Sequence, residues 1–108
     1  MVKETKSWFL YMLRCADGSF YTGISNRLAV RVQNHSRGRG ARYTKTRLPV
    51  ELVFSRKIGT YPQALRRERR HKQKTHRAKM KLAEKWLGAR AREKKRAPKK
   101  SPPAGSMG

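Results

Sequence analysis

Five side chains in this 108-residue chain carry groups suited to phosphoryl chemistry: Tyr11, Tyr21, Arg31, His35 and Glu68. A carboxylate such as Glu68 can hold a divalent cation, Mg²⁺ or Mn²⁺, and a bound cation neutralises a scissile phosphate and its leaving oxygen. A fixed guanidinium adds positive charge where negative charge grows. A tyrosine works as a base only when its pKa, about 10 when free, is pulled down. Nearby arginine charge and a metal-bound water both act in that direction. A histidine can hold the phenol in position or accept its proton. Phosphodiester hydrolysis could use this set, and a single carboxylate fits a site with one ion better than a site with two. No Walker loop, zinc-ligand spacing, Ser-His-Asp order or dinucleotide fingerprint competes with it.

These residues need elements to position them. Trp8 to Leu13 is a run of six apolar or aromatic residues, Asp17-Gly18 is a turn signal, and Phe20 to Ile24 is a second short run. The pattern predicts a β-hairpin. A two-residue loop would put Tyr11 and Tyr21 on opposite faces. A three-residue loop, Ala16-Asp17-Gly18 with Gly18 left-handed, would set Leu13 against Tyr21 and Tyr11 against Gly23. The three-residue loop is preferred, because it gathers both tyrosines on one face, with Gly23 leaving space in front of Tyr11 for a ligand backbone. Ser25 and Asn26 are good helix caps before LAVRVQNH. At about 100° per residue, Leu28, Arg31, Val32 and His35 share one arc of that helix. Taken alone, this helix favours an arginine lying over the sheet edge and a histidine capping the helix end.

Residues 36–49 hold two glycines, one proline and several cations without periodicity, which predicts a loop. Gly38 and Gly40 let its backbone come close to a partner. Its Arg37, Arg39, Arg42, Tyr43, Lys45 and Arg47 are candidates for phosphate contact, together with Gly23 in the hairpin. Val50 to Ile58 reads as a third strand, with Leu52 and Phe54 pointing one way and Val53 and Ser55 the other. A helix begins near Pro62, and Ala64, Leu65, Glu68, His71, Lys72 and Thr75 share one side of it. Glu68 has two readings of about equal weight: a partner for Lys72 at i, i+4, contributing ~0.3–0.5 kcal/mol, or a metal ligand. The helix should break or bend near Thr75-His76-Arg77, resume over Ala78 to Leu87 and stop at Gly88. The expected division is a domain over residues 1–88 and a disordered basic tail over 89–108.

The formal net charge is +23, from 29 basic and six acidic residues. The tail holds seven cations and one acid, so +17 remains on residues 1–88. Such an excess points to a polyanionic partner, nucleic acid above all. No apolar run approaches the ~20 residues of a membrane-spanning helix. The only cysteine, Cys15, can neither close an internal disulfide nor anchor a zinc cluster by itself, and no secretory segment stands at the N-terminus. A cytoplasmic location and a monomer are expected.

Tyr11, then Tyr21-Thr22-Gly23, then Arg31 and His35 resemble the two-part signature of the GIY-YIG nucleases and the Arg and His that follow it. The likeness covers roughly Trp8 to Thr75, most of all to small stand-alone bacterial members. The first triplet, Phe9-Leu10-Tyr11, keeps only its tyrosine. The resemblance implies a small α/β (α+β) fold: a three-stranded antiparallel sheet flanked by helices. It also implies Glu68 as ligand of one divalent ion, Tyr11 as general base with Tyr21 as its partner (roles that could be interchanged), and DNA cleavage in repair or recombination. The alternative is a non-catalytic binder of DNA or RNA that keeps the scaffold. Basic charge suits both, whereas binding alone does not require all five residues together.

Overall fold

The structure, a computed structural model, describes the backbone of residues 7–100 and the side chains of residues 7–93. Strands β1 (Trp8–Arg14), β2 (Phe20–Ser25) and β3 (Glu51–Gly59) form an antiparallel sheet in the order β2-β1-β3. Around it lie α1 (Leu28–Ser36), a single turn α2 (Arg42–Lys45), α3 (Tyr61–Lys72) and α4 (His76–Lys100). This is the α+β architecture expected.

Turn chemistry sets the hairpin. The Cys15 amide donates to the Ser19 carbonyl (2.8 Å), and the Gly18 amide to the Cys15 carbonyl (2.9 Å). Gly18 has φ 86°, a conformation that is cheap only without a Cβ. The loop is therefore the three-residue one, and it puts Tyr11 opposite Gly23 and Leu13 opposite Tyr21. Because side chains alternate along a strand, both tyrosines lie on one face.

The third strand departs from simple alternation. Met12 pairs with Phe54 but Leu13 pairs with Leu52, so Val53 is an extra residue in a bulge. Leu52 and Phe54, expected on one side, thus face opposite sides of the sheet. Val53 is fully buried with Met12 and Ala83, and Phe54 and Leu87 pack against that cluster. Burying a side chain such as Met12 contributes roughly 1.5–3 kcal/mol. Helices α3 and α4 cover this Met12 face, and α1 lies over the tyrosine face.

The helix ends show where local signals held. Thr60 caps α3 through a capping box: its hydroxyl accepts from the Gln63 amide, and the Gln63 side chain accepts from the Thr60 amide. The expected break falls at residues 73–75, where the Thr75 hydroxyl accepts from the Ala78 amide (3.1 Å) and restarts the chain as α4. The N-cap of α1 is Arg27, with no side-chain cap; Ser25, expected as a cap, instead accepts from the Arg27 amide (2.9 Å) in a local turn.

Two further expectations need correction. The loop over 36–49 contains the turn α2, and the helix expected to stop at Gly88 continues as α4 to Lys100. One glycine inside a helix costs only about 1 kcal/mol against alanine, and the Ala-, Arg-, Lys- and Glu-rich sequence beyond it favours helix. The disorder expected for 101–108 lies outside the described residues. Among the described residues, no helix is long and apolar enough to cross a membrane.

Candidate active site

The hydroxyl of Tyr11 is the centre of the tyrosine face. The ring is 1 % exposed, and its hydroxyl reaches over Gly23: a Cβ there would stand 2.6 Å from the Tyr11 oxygen. The space that Gly23 leaves is thus taken by Tyr11 itself and not by a ligand backbone. Any side chain at Gly23 would push the phenol out.

From Tyr11 a chain of hydrogen bonds runs inward. Tyr11 Oη and His35 Nε2 are 2.9 Å apart, and His35 Nδ1 and Thr44 Oγ1 are also 2.9 Å apart. Thr44 Oγ1 donates its only hydrogen to the Ala41 carbonyl at 3.0 Å. The Thr44 oxygen must therefore accept from His35 Nδ1–H, so Nε2 carries no hydrogen and accepts from Tyr11. One tautomer of His35 is selected. His35 and Thr44 are both fully buried, so His35 is not the helix-end cap suggested by α1 alone.

The loop after α1 makes this possible. Gly40 lies against the imidazole so closely that a Cβ would meet His35 Nδ1 at 2.1 Å and Cγ at 2.6 Å. The turn α2 then carries Thr44 to the ring. Neither Gly40 nor Thr44 stands out in the sequence as a site residue. A glycine in an arginine-rich loop suggests close approach to a partner, whereas the approach that Gly40 makes is internal.

Electrostatics follow from burial. Burial pushes the Tyr11 phenol up to about 12, with the Tyr21 and Glu68 charges adding to the rise and Arg31 opposing it. Burial, and secondarily the Arg31 charge, pushes His35 down to about 4, so the imidazole is neutral near pH 7. Arg31 and Glu68 thus both lie close enough to act on Tyr11. The Glu68 side chain is only 17 % exposed and pairs with Lys72 at 3.5 Å, so the i, i+4 pairing legible in the sequence does exist.

Tyr21 is half-buried and closes the outer side of the site. Its ring lies 6.4 Å from Tyr11, 5.1 Å from His35 and 6.1 Å from Tyr43, the last stacked at 25°. Arg47 lies 3.9 Å over the Tyr43 ring and pairs with Asp17 at 3.1 Å, so it props up the loop. Arg37, Arg39, Arg42 and Lys45 make no ion pair among the described residues. The predicted residues therefore divide into a converged group (Tyr11, Tyr21, Arg31, His35 and Glu68) and a basic rim.

Comparison with known proteins identifies the family. Residues 7–82 match the GIY-YIG catalytic domain. A UPF0213 protein of Staphylococcus aureus (strain Mu3) is 45% identical over 76 residues, which is 70% of this chain and 93% of that protein. The solution NMR structure of the protein EF2693 from E. faecalis is similar with a TM-score of 0.52 and 31% identity, covering 80% of this chain and 92% of that one. The UPF0213 protein BH0048 from Bacillus halodurans is 35% identical, covering 72% and 83%, with a TM-score of 0.46. The chain belongs to the GIY-YIG family.

Proposed function

We propose that this protein is an endonuclease that hydrolyses phosphodiester bonds in DNA, in repair or recombination, with one divalent cation, Mg²⁺ or Mn²⁺. The observation that carries the reading is the convergence of Tyr11, Tyr21, Arg31, His35 and Glu68 around a hydrogen-bond chain with a defined direction.

The donor set fits a single hard cation. Among the described residues no three His, Cys, Asp or Glu side chains come together; Glu68, whose charge acts on Tyr11, would be the one carboxylate to hold the ion. Mg²⁺ is commonly bound through one or two carboxylates, with waters and substrate phosphates as its remaining ligands. When bound, such an ion would neutralise the scissile phosphate and its leaving oxygen.

The electrostatics argue for exchanging the roles of the two tyrosines. Burial raises Tyr11 to about 12 and lowers His35 to about 4, so passing the phenol proton to the imidazole is uphill. Tyr11 is also almost inaccessible to water. It therefore acts as a neutral, anchored phenol, and not as the general base that the resemblance implied. Tyr21, at the open side, first gives its own proton to solvent and, as phenolate, takes the proton of the attacking water as that oxygen bonds to phosphorus; the leaving oxygen departs as an anion that a bound divalent cation would neutralise. Arg31 provides fixed positive charge for the pentavalent state. The basic rim of Arg37, Arg39, Arg42 and Lys45 holds flanking phosphates.

The non-catalytic alternative has one observation in its favour, the Glu68–Lys72 pair. Two variants separate the readings on a panel of duplex, branched and single-stranded DNA and RNA with Mg²⁺, Mn²⁺ or EDTA. Glu68→Gln and Tyr21→Phe should each lower cleavage by orders of magnitude, while DNA affinity without metal stays the same or rises slightly for Glu68→Gln. Full cleavage by Glu68→Gln would remove the metal site and leave the binding reading.

A further inference from the structure

We infer that the cleft walled by Arg56, Arg67, Arg70 and Lys74 is a second nucleic-acid site, which holds the phosphate backbone of a segment other than the one at the tyrosines. This goes beyond the hydrolytic reading and does not depend on it.

The cleft measures about 290 Å³ and opens between β3 and the α3–α4 corner, with Leu10, Phe54 and His71 also lining it. No acid lines it. A neighbouring hollow of about 220 Å³ shares Arg67 and Arg70 and adds Arg66. The ion pairs found among the described residues are Arg14–Glu51, Arg47–Asp17 and Lys72–Glu68, so none of these five cations is paired with a carboxylate. On α3, Arg66 and Arg70 stand at i, i+4 and Arg67 and Arg70 at i, i+3, both spacings at which like charges repel. A folded chain with few acids that concentrates unpaired cations in a concave place holds a standing demand for an anion.

Two features select a nucleic-acid backbone over a single small anion. The cations run continuously through two adjoining hollows, which suits a ligand whose negative charge repeats. Four of the five are arginines, whose planar forks match phosphate oxygens in bidentate geometry. Position then selects a separate segment. Arg56 is paired with Leu10 across the sheet, one residue away from Tyr11, so the cleft opens on the opposite face. The tyrosine site opens at the β2 edge, whereas the cleft lies along β3 at the other edge. Tyr21 lines a hollow with Lys72 and Lys79 past the β2 edge, whereas β1 and β3 residues line the cleft, so the two sites meet different stretches of nucleic acid. A junction or other branched molecule supplies two such stretches at once.

The test uses the full chain in EDTA, so cleavage plays no part and a failure of the nuclease reading would not affect it. Affinity is measured for a branched DNA and for a linear duplex of equal length, across a salt series. The expected result is at least a tenfold preference for the branched DNA. The quadruple variant Arg56→Gln/Arg67→Gln/Arg70→Gln/Lys74→Gln should lose that preference, and its log–log salt slope on branched DNA should become shallower by roughly 0.9 for each phosphate that is no longer neutralised. A charge-matched control, Arg77→Gln/Lys81→Gln/Lys85→Gln/Arg92→Gln, should keep the preference. If the quadruple variant melts early, Arg70→Gln alone should still reduce the preference severalfold. Equal binding of branched and linear DNA by the unaltered protein would overturn the inference. So would a fall in preference no greater than in the control, or a cleft that takes inorganic phosphate with no branched-DNA preference.

Discussion

Two buried histidines sit on opposite faces of the same sheet, and their difference is instructive. His35 on α1 is fully buried on the tyrosine face, and His71 on α3 is 3 % exposed on the Met12 face. Burial pushes both down to about 4, so both are neutral near pH 7. By burial and charge they are twins. Their partners are not alike. His35 lies in a directional chain from the Tyr11 hydroxyl to Thr44, whereas His71 touches the Met12 sulfur at 3.3 Å and stacks on Phe54 at 5.6 Å. A strongly shifted histidine therefore marks a buried place; His35 belongs to the tyrosine site through its hydrogen bonds, whereas His71 reaches the arginine cleft on the other face only as a packed wall residue.

The sharpest way to break the comparison is to replace each ring. His35→Leu removes the acceptor that holds the Tyr11 hydroxyl and the ring that Tyr21 packs against, and cleavage should fall ~10²-fold, since a shift of about 1 Å in a positioning group costs on that order. His71→Leu should leave cleavage within about twofold. Parallel initial rates on one substrate decide it, and equal falls would mean that His35 is packing too.

The pH dependence of stability should, by contrast, treat the two alike. Each folded-state pKa lies below the usual value of about 6.5, so the unfolded chain takes up protons first as pH falls. Stability is fully present above about 6.5 and declines as pH drops toward 4, by up to about 3 kcal/mol for each ring. Urea unfolding between pH 7.5 and 4 should show this slope, and either leucine variant should remove about half of it. A flat profile would mean that neither ring is held neutral by the fold.

Smaller changes test what surrounds each ring. Gly40→Ala places a methyl group against a fully buried imidazole, so overpacking of about 1–3 kcal/mol is expected, along with reduced cleavage. Thr44→Val keeps the shape but leaves His35 Nδ1–H without an acceptor, a cost of ~1–3 kcal/mol. Nitrogen NMR of the imidazole should show Nδ1 protonated in the unaltered protein and a mixture of tautomers in Thr44→Val. On the other face Met12→Leu, a volume-conserving change beside His71, should cost under about 1.5 kcal/mol and leave cleavage unchanged.

What could be read from sequence was local. Asp17-Gly18 marks the hairpin turn and allows a two- or a three-residue loop; the preferred three-residue loop is the one that forms, and it aligns Tyr11 with Gly23 and both tyrosines on one face. Pro62 marks the start of α3, and the period of α3 turns Glu68 to the side of buried Ala64 and His71. Tertiary packing decided the rest. His35 reads as a helix-end cap until α1 is laid across the sheet, 24 residues from Tyr11 in sequence but within hydrogen-bond distance of it. Gly40 and Thr44 carry no periodic signal, because the loop takes its shape from the ring it encloses. The bulge at Val53 redirects Leu52 and Phe54 through pairing with β1, and nothing in β3 by itself requires it. Short-range hydrogen bonds and side-chain alternation depend on neighbours in the chain, so they are legible in order. The proton direction at Tyr11 depends on which distant oxygen has already spent its hydrogen, and only the folded arrangement settles that.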